Sequence, residues 1–346
     1  MKRLFAVIVG VVFFLSGMLK LVDPVGTSLI MDEYFKFFHI AFMGGCAKSL
    51  GVALASLEAL VGVALITGVW RKVVAIIASA MTVFFTIVTI CLAVKNPPMD
   101  CGCFGEAIHL THVQTLLKNV VLLVLSAVAF LPFGKLGSAK PRKYVTFALG
   151  VLAVLGFAVR SSVGLPVTDF TEMKPGAEVF GEVPLVSVMD VEGDYCEYMF
   201  EDTNVMAVVV NDVDAMTTKD WQKASEDIEA VWNIGFTPAF FVASTPEDLE
   251  AALSGLDYHA AMQLYDRAYF ADRRKLLTLN RSNGGLVYLS NGTVIKKWHA
   301  SHVFDTEELQ EIYDAVPLEL MVNYSSAGKL KLRGTIALSL AVLLLI

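Results

Sequence analysis

The chain has 346 residues, of which 55% are hydrophobic, and its mean hydropathy is +0.61. Soluble domains are about 45–50% apolar, so this composition indicates a membrane protein. Residues 1–160 carry 14 Lys and Arg against 6 Asp and Glu, a net charge of +8, whereas residues 161–328 carry 10 against 28, a net of −18. We expect a membrane-embedded first part and an acidic, water-soluble second part, and this acidity argues against a nucleic acid as partner.

Five apolar runs are long enough to cross a bilayer, which takes roughly 20 residues in a helix. They are Leu4–Val22, Leu50–Val69, Val73–Val94, Val113–Phe133 and Tyr144–Val159. The first run follows two basic residues, as in a signal peptide, but no small-residue cleavage site follows it, so we expect it to be retained. Residues 334–346 are also apolar, but as a helix they would measure only about 20 Å. A membrane anchor there is expected, and a full span is an open alternative.

Basic residues lie at alternate ends of these runs. They are Lys2 and Arg3, then Arg71 and Lys72, then Lys135, Lys140, Arg142 and Lys143. Positive charge marks cytoplasmic loops. The pattern therefore predicts a cytoplasmic N-terminus, with the loop "DCGCFGE" (residues 100–106) and the acidic domain on the opposite side of the membrane.

Cys101 and Cys103 lie in that outer loop, separated by a single glycine. Thiols outside the cytoplasm are usually oxidised, and a Cys-x-Cys spacing reaches disulfide distance at some cost in geometry. Because strained, exposed disulfides are the reactive ones, the pattern favours thiol–disulfide exchange. Three alternatives remain open: a structural disulfide with Cys46, a zinc or copper site completed by His109 and His112, and two inert thiols.

Two further residues, Glu58 and Cys196, could have either a functional or a purely structural role. Glu58 lies inside the second apolar run, in "LASLEALVGVAL", where a carboxylate is energetically expensive and is a functional candidate by default. A hydrogen-bonded Glu58 that only holds helices together is equally open. Cys196 is the one cysteine of the acidic domain; a partly buried spare thiol is expected, and a resolving partner for Cys101 or Cys103 is the alternative. Lys20 and Asp23 are expected to form an interfacial pair.

The stretches "FFLSGMLKLVDPVG", "DCGCFGE" and "THVQTLLKN", together with Glu58, resemble the DoxX-like membrane proteins and, within them, the MauE type of methylamine-utilisation protein. The resemblance covers residues 1–135. It implies a redox-associated four-helix membrane module in which Cys101 and Cys103 form the pair and Asn119 follows on the next helix. It also implies an extracytoplasmic partner that contains cysteines or is thioredoxin-like. The whole layout resembles an architecture of Bacteroidetes, which implies a multi-pass protein of the bacterial inner membrane whose soluble domain faces the periplasm.

The remaining segments are a basic loop with a fifth span over residues 136–162, a soluble domain over 163–326, and a basic linker with an apolar anchor over 327–346. In the soluble domain "NVMAVVVND" predicts a strand buried on both faces. "GGLVYLSNGTVIKKWH" predicts a hairpin that turns at Asn291-Gly292. The predicted β-α-β-α-β-β-α order is that of a thioredoxin fold, and the hairpin resembles the end of redoxin-like domains. Thioredoxins carry an active Cys-x-x-Cys after the strand that corresponds to "VVVND". This chain lacks it, because its "DVDAMTTKDW" contains no cysteine.

The predicted fold is therefore a multi-span α-helical membrane bundle, a four-helix DoxX-like module plus a fifth span, followed by an α/β thioredoxin-like domain. The predicted function is exchange of thiol and disulfide equivalents with a periplasmic partner. The candidate catalytic residues are Cys101, Cys103, Cys46 and Glu58. A membrane quinone is a possible electron acceptor, by analogy with other membrane thiol oxidases. The main alternative is a non-enzymatic assembly scaffold in which the Cys-Gly-Cys is structural, and a metal chaperone comes third.

Overall fold

A computed structural model describes residues 2–132 and 140–345. They form two compact units, Met1–Val167 with Lys331–Ile346, and Thr168–Leu330. Two residues used in the predictions, Phe133 at the end of the fourth span and Lys135 in the following loop, lie outside the described residues.

The first unit is helical. Its helices are α1 (Lys2–Val22), α2 (Pro24–Phe37), α3 (Ala47–Thr67), α4 (Arg71–Lys95), α5 (His112–Phe130) and α6 (Arg142–Val163). Five of them are long and apolar enough to cross a membrane: α1, α3 with the 3-10 turn before it, α4, α5 and α6. They match the five predicted spans to within a few residues at most ends, except that the second begins earlier, at Ala41.

Helices α1 and α3 approach each other closely through glycines. A Cβ added at Gly17 would lie 2.4 Å from the Ala55 carbonyl oxygen, and one added at Gly62 would lie 2.4 Å from the Phe14 nitrogen. Small residues allow this backbone approach between membrane helices, where packing rather than hydrophobic burial stabilises the pair. The glycines therefore determine how far apart α1 and α3 lie.

The two ends of the helical unit differ in structure. At one end the Arg3 guanidinium donates to the carbonyl oxygens of Leu65, at 2.6 Å, and of Ile66, which satisfies the last turn of α3. At the other end lie α2 and the short strand β1 (Cys103–Glu106). Helix α2 is absent from the predictions; it begins at Pro24, and the Asp23 carboxylate caps it by accepting from the Gly26 N–H at 2.9 Å.

The second unit is built on a six-stranded mixed sheet with the order β2-β5-β4-β3-β6-β7. The strands are β2 (Val188–Met189), β3 (Asn204–Val210), β4 (Thr237–Val242), β5 (Ala268–Ala271), β6 (Gly285–Ser290) and β7 (Thr293–Trp298). Strand β3 pairs in parallel with β4 and antiparallel with β6. It is buried along all but its first residue, which confirms the predicted buried strand. The predicted hairpin is also present, with positive φ at both Asn291 and Gly292.

Helices cover this sheet, and both of its faces carry apolar clusters. The helices that follow β3 along the chain are α7 (Thr218–Ile234), α8 (Pro246–Leu253), α9 (Tyr258–Tyr265), α10 (Arg273–Leu279), α11 (Thr306–Asp314) and α12 (Pro317–Leu345). The predictions omit α9, α10, the edge strand β2 and its neighbour β5. Over residues 327–345, within the range expected as a basic linker and apolar anchor, α12 continues as one helix to Leu345.

The turn after β3 contains no cysteine and is closed by the side-chain amide of Asn283. The Asn283 Oδ1 accepts from the backbone N–H groups of Asn211 and Asp212, at 2.8 and 3.0 Å. The Asp212 carboxylate in turn accepts from the Arg273 guanidinium at 2.9 Å. These side chains hold the loop by hydrogen bonds.

Candidate functional site

A cavity of about 280 Å³ lies in the first unit, at the end that contains α2 and β1. This is close to the lower limit of ligand pockets, about 300–1,000 Å³. Cys101, Gly102 and Cys103 form part of its wall. Its apolar lining includes Phe35, Phe38, Leu54, Phe84, Phe85 and Val88, and its polar lining includes Ser16, Lys20, Tyr34, Glu58, Lys118 and Asn119.

Gly102, between the two cysteines, is required by both conformation and space. Its φ of +58° lies in the left-handed region, which a residue with a side chain rarely adopts. A Cβ there would also come 2.5 Å from Cγ2 of Ile30 on α2. The glycine thus lets the loop turn while it packs directly against α2.

Hydrogen bonds to two carbonyl groups fix the cysteine loop. The Tyr34 hydroxyl donates to the Cys101 carbonyl at 2.8 Å, and the Ser16 hydroxyl lies 2.7 Å from the Cys103 carbonyl. Burial raises the pKa of the Tyr34 phenol, which keeps it a donor. The thiols of Cys101 and Cys103 are both free. Cys101 is only 4% exposed, whereas Cys103 is partly exposed.

The Cys101 thiol is in contact with a histidine. Its Sγ lies 2.9 Å from Nδ1 of His112, and Nε2 of the same ring lies 3.1 Å from the Pro97 carbonyl oxygen. A carbonyl can only accept, so Nε2 carries the proton and Nδ1 of the neutral ring is free to accept from the thiol. Burial raises the pKa of the Cys101 thiol.

Glu58 forms a buried ion pair beside the same loop. It is 1% exposed, and the Lys20 ammonium donates to both of its carboxylate oxygens, at 2.8 and 2.7 Å. The Ser16 hydroxyl lies 2.7 Å from Glu58 Oε2 as well as from the Cys103 carbonyl. Its single proton can serve one of these acceptors at a time, so Ser16 links the ion pair to the cysteine loop. Glu58 is thus paired with a cation.

Asn119, on α5, contacts the neighbouring helix. Its side-chain amide donates to Thr89 Oγ1 at 2.9 Å and to the Phe85 carbonyl at 3.3 Å. Lys118, the preceding residue, lies over the Phe104 ring at 4.8 Å. These contacts join α5, α4 and the cysteine loop around the cavity.

The structure brings together three of the four residues predicted for the site. Cys101, Cys103 and Glu58 line one cavity. Cys46 ends the exposed 3-10 helix Ala41–Cys46 and is not among the residues that line the cavity. Cys196 belongs to the second unit, where it is buried, its thiol lies 3.7 Å from the Val188 carbonyl, and burial raises its pKa to about 11.

The metal alternative has no preformed site in the part of the chain that the structure describes. Within residues 2–132 and 140–345, no three His, Cys, Asp or Glu side chains converge as metal ligands. His112 is at Cys101, but His109 is exposed and lies 3.0 Å from the Asp100 carboxylate. The four residues of the predicted Cys₂His₂ set are therefore not gathered around one point.

Four residues of the site are missing from the sequence-based set of catalytic candidates: Ser16, Lys20, Tyr34 and His112. Lys20 and His112 carried a detectable signal, since one is a charge near the end of a span and the other follows the cysteine pair closely. The sequence paired Lys20 with Asp23, and the structure pairs it with Glu58. Ser16 and Tyr34 carry no signal in a single sequence.

Comparison with known proteins supports the membrane assignment of the first unit. A family model described as "Methylamine utilisation protein MauE" matches residues 2–132. Every residue that lines the cavity, from Ser16 to Asn119, falls inside this match. No curated protein and no solved structure matches the chain. With five helices able to cross a bilayer in the described part of the chain, the chain is a multi-pass membrane protein whose residues 2–132 are similar to the MauE type.

Proposed function

We propose that this chain is a thiol–disulfide exchange protein of the bacterial inner membrane, with Cys101 and Cys103 as its redox pair on the periplasmic side. The observation that carries the proposal is the position of these two thiols, one residue apart in the wall of a cavity bordered by the Lys20–Glu58 ion pair. The family description names methylamine utilisation; we define the partner of this chain by its chemistry, as a protein with a cysteine pair.

The exchange proceeds through a mixed disulfide. A partner thiolate attacks one sulfur of the Cys101–Cys103 disulfide, forms a new S–S bond with it and releases the other cysteine as a thiolate. The second partner thiol then attacks the mixed disulfide and releases the remaining cysteine. The partner loses two electrons and two protons, and Cys101 and Cys103 end as two thiols.

Turnover requires an acceptor that takes two electrons and two protons from the reduced pair. We propose a lipid-soluble quinone, which becomes a quinol. The cavity supports this class of acceptor because aromatic side chains such as Phe84 and Phe85 border it, while Lys20 and Asn119 place polar groups on its wall. Both thiols line the same cavity.

The second unit has a role in binding in this proposal. Its strand order and pairing are compatible with a thioredoxin-like domain that lacks the redox cysteines. The turn after β3 is held by Asn283 and Arg273, so we propose that the domain holds or presents the partner protein without taking part in the electron transfer.

A non-enzymatic scaffold is the second candidate. The burial of Cys101 favours it, since a buried thiol with a raised pKa is less reactive. In that case the Cys-Gly-Cys only shapes the loop, and the thiols do not respond to an oxidant.

The redox response of the pair in native membranes distinguishes the two functions. The full-length protein is reduced, freed of reductant, exposed to an oxidised soluble quinone, and then treated with a mass-tagged maleimide. We expect Cys101 and Cys103 to lose both free thiols together and to regain them under mild reductant. The C101S and C103S variants should not respond, and C91S, which removes a thiol outside the cavity, should respond as the wild type does.

Two outcomes would contradict exchange by this pair. Thiols that stay free with quinone, or a disulfide that mild reductant does not open, would favour the scaffold. A response that requires Cys46, seen as its loss in C46S, would replace the Cys101–Cys103 disulfide by one that includes Cys46.

A further inference from the structure

We propose that His112 is the acid–base partner of Cys101, and that Cys101 is the inner thiol of the pair while Cys103 is the sulfur that the partner protein attacks. This inference rests on the proposed function and assigns separate roles within it.

The contact geometry supports proton transfer between the two side chains. Cys101 Sγ and His112 Nδ1 are 2.9 Å apart, and both residues are buried, at 4% and 8% exposure. The Pro97 carbonyl holds the opposite nitrogen, Nε2, at 3.1 Å. This bond leaves Nδ1 as the unprotonated nitrogen of the neutral ring and directs it at the thiol.

The local chain explains why the ring is fixed there. His112 is the first residue of α5, directly after the N-cap Thr111, whose hydroxyl accepts from the Gln114 N–H while the Gln114 side chain accepts from the Thr111 N–H. This capping box fixes the start of the helix. The partial positive charge at a helix N-terminus stabilises a nearby thiolate. The start of α5 therefore favours ionisation of the Cys101 thiol beside it.

Cys101 needs such a base because its surroundings disfavour the thiolate. Burial raises its pKa, and so do Cys103 and Asp100 on its own loop, while Thr115 and Lys118 on α5 lower it. Tyr34 on α2 stays protonated and bonds the Cys101 carbonyl, not the sulfur. His112 is the group placed to take the thiol proton directly.

Unequal exposure separates the roles of the two sulfurs. Cys103 is partly exposed and Cys101 is buried, so a protein partner reaches Cys103. When the partner thiolate bonds to Cys103 Sγ, the Cys101–Cys103 bond breaks and Cys101 leaves with the electron pair. The Nδ1 of His112, once it has taken up the proton that the partner thiol has lost, passes that proton to the Cys101 thiolate. In the reverse direction Nδ1 takes the proton from the Cys101 thiol as Cys101 attacks Cys103 in the mixed disulfide, the bond from Cys103 to the partner breaks, and the partner leaves as a thiolate.

The test is the pH dependence of alkylation at each cysteine in the reduced, full-length protein in membranes. A small neutral reagent such as iodoacetamide is used at pH values from about 6 to about 9. Site-resolved mass spectrometry gives the alkylation rate of each cysteine. In His112→Gln we expect the Cys101 rate at pH 7 to fall by roughly tenfold, equivalent to one pKa unit. His109→Gln, the same change at an exposed histidine of this loop, is the matched control and should keep the wild-type profile.

A second variant that cannot take up a proton, with a shorter side chain, controls for a packing defect in His112→Gln. His112→Asn keeps a polar group near Sγ but cannot take up a proton, so it should lose the Cys101 rate as His112→Gln does. A wild-type profile for Cys101 in either variant, with Cys91 and Cys103 rates unchanged, would overturn the inference. A rise in the alkylation rate of every cysteine in His112→Gln would indicate that this variant unfolds. The Cys101 rate in His112→Asn then decides whether the inference holds.

The alkylation experiment involves neither partner nor quinone. A His112 effect in a protein that does not respond to quinone would therefore refute the proposed function alone. A quinone response without a His112 effect would refute only this inference.

Discussion

At the level of single residues, the main feature of the first unit is a set of polar groups buried among apolar helices. Glu58 and Lys20 form an ion pair, and Ser16 connects it to the cysteine loop. A buried charge is tolerated only with a partner. Each charge of the pair therefore requires the other for the stability of the fold, and this can be tested apart from any redox function.

Removing the cation alone should be costly. Lys20→Met leaves the Glu58 carboxylate buried without its ammonium, which destabilises a protein by about 3–5 kcal/mol. The double change Lys20→Met with Glu58→Gln removes both charges and should recover part of that loss. Thermal unfolding in detergent measures both. A double variant less stable than Lys20→Met would contradict the ion-pair explanation.

The second unit offers a pH test at Cys196. Its pKa is raised to about 11 by burial and, less strongly, by Asp190 and Glu197. The folded state therefore favours the neutral thiol, and its contribution to stability is full below the unfolded pKa, roughly 8.5. That contribution should be lost as the pH rises towards about 11. Cys196→Ala should show a weaker decline of the unfolding free energy over this range, and equal slopes for both proteins would refute the assignment.

At the level of helices and strands, the sequence predicts those elements whose pattern is local. The spans follow from continuous hydropathy, and β3 and the Asn291-Gly292 hairpin follow from a buried run and a turn signal. Helix α2 was missed because it is only 14 residues long and mixes apolar with charged residues. The cavity was missed because its contacts join distant positions; Ser16 and Cys103 are 87 residues apart. Cys101 and Cys103 were found because their spacing is itself the signal.

The close approach of α1 and α3 gives a prediction for a whole element. Gly17→Ala places a methyl group 2.4 Å from the Ala55 carbonyl, so the helices must separate. Overpacking of this kind costs about 1–3 kcal/mol. The matched control is Gly156→Ala on α6, where no atom lies within 4 Å of the added Cβ; it should be neutral or slightly stabilising, because Ala favours helix. Equal melting temperatures for the two variants in detergent would contradict the close contact.

At the level of the whole molecule, charge is distributed very unequally along the chain. Residues 1–160 carry +8 and residues 161–328 carry −18. In the first unit, Arg3 and Arg71 border a pocket of about 210 Å³ at the end opposite the cysteine loop. Since basic residues favour the cytoplasmic face, this arrangement gives a definite prediction for the orientation of the helical unit.

Two exposed positions report the orientation directly. Cys46 is an exposed thiol near the end that bears the cysteine loop, and Lys72 is exposed at the first turn of α4, at the basic end. We expect a membrane-impermeant maleimide to label Cys46 in intact spheroplasts.

The complementary variant has Cys46→Ser together with Lys72→Cys, and we expect its Lys72→Cys thiol, identified by site-resolved mass spectrometry, to be labelled only after the membrane is opened. Each protein serves as the control for the other, because the same reagent and cells are used and only the position of the exposed thiol changes. Labelling of the Lys72→Cys thiol from outside, with Cys46 protected, would reverse the orientation. Cys101 and Cys103 would then face the cytoplasm, where thiols are kept reduced, and periplasmic exchange by this pair would be excluded.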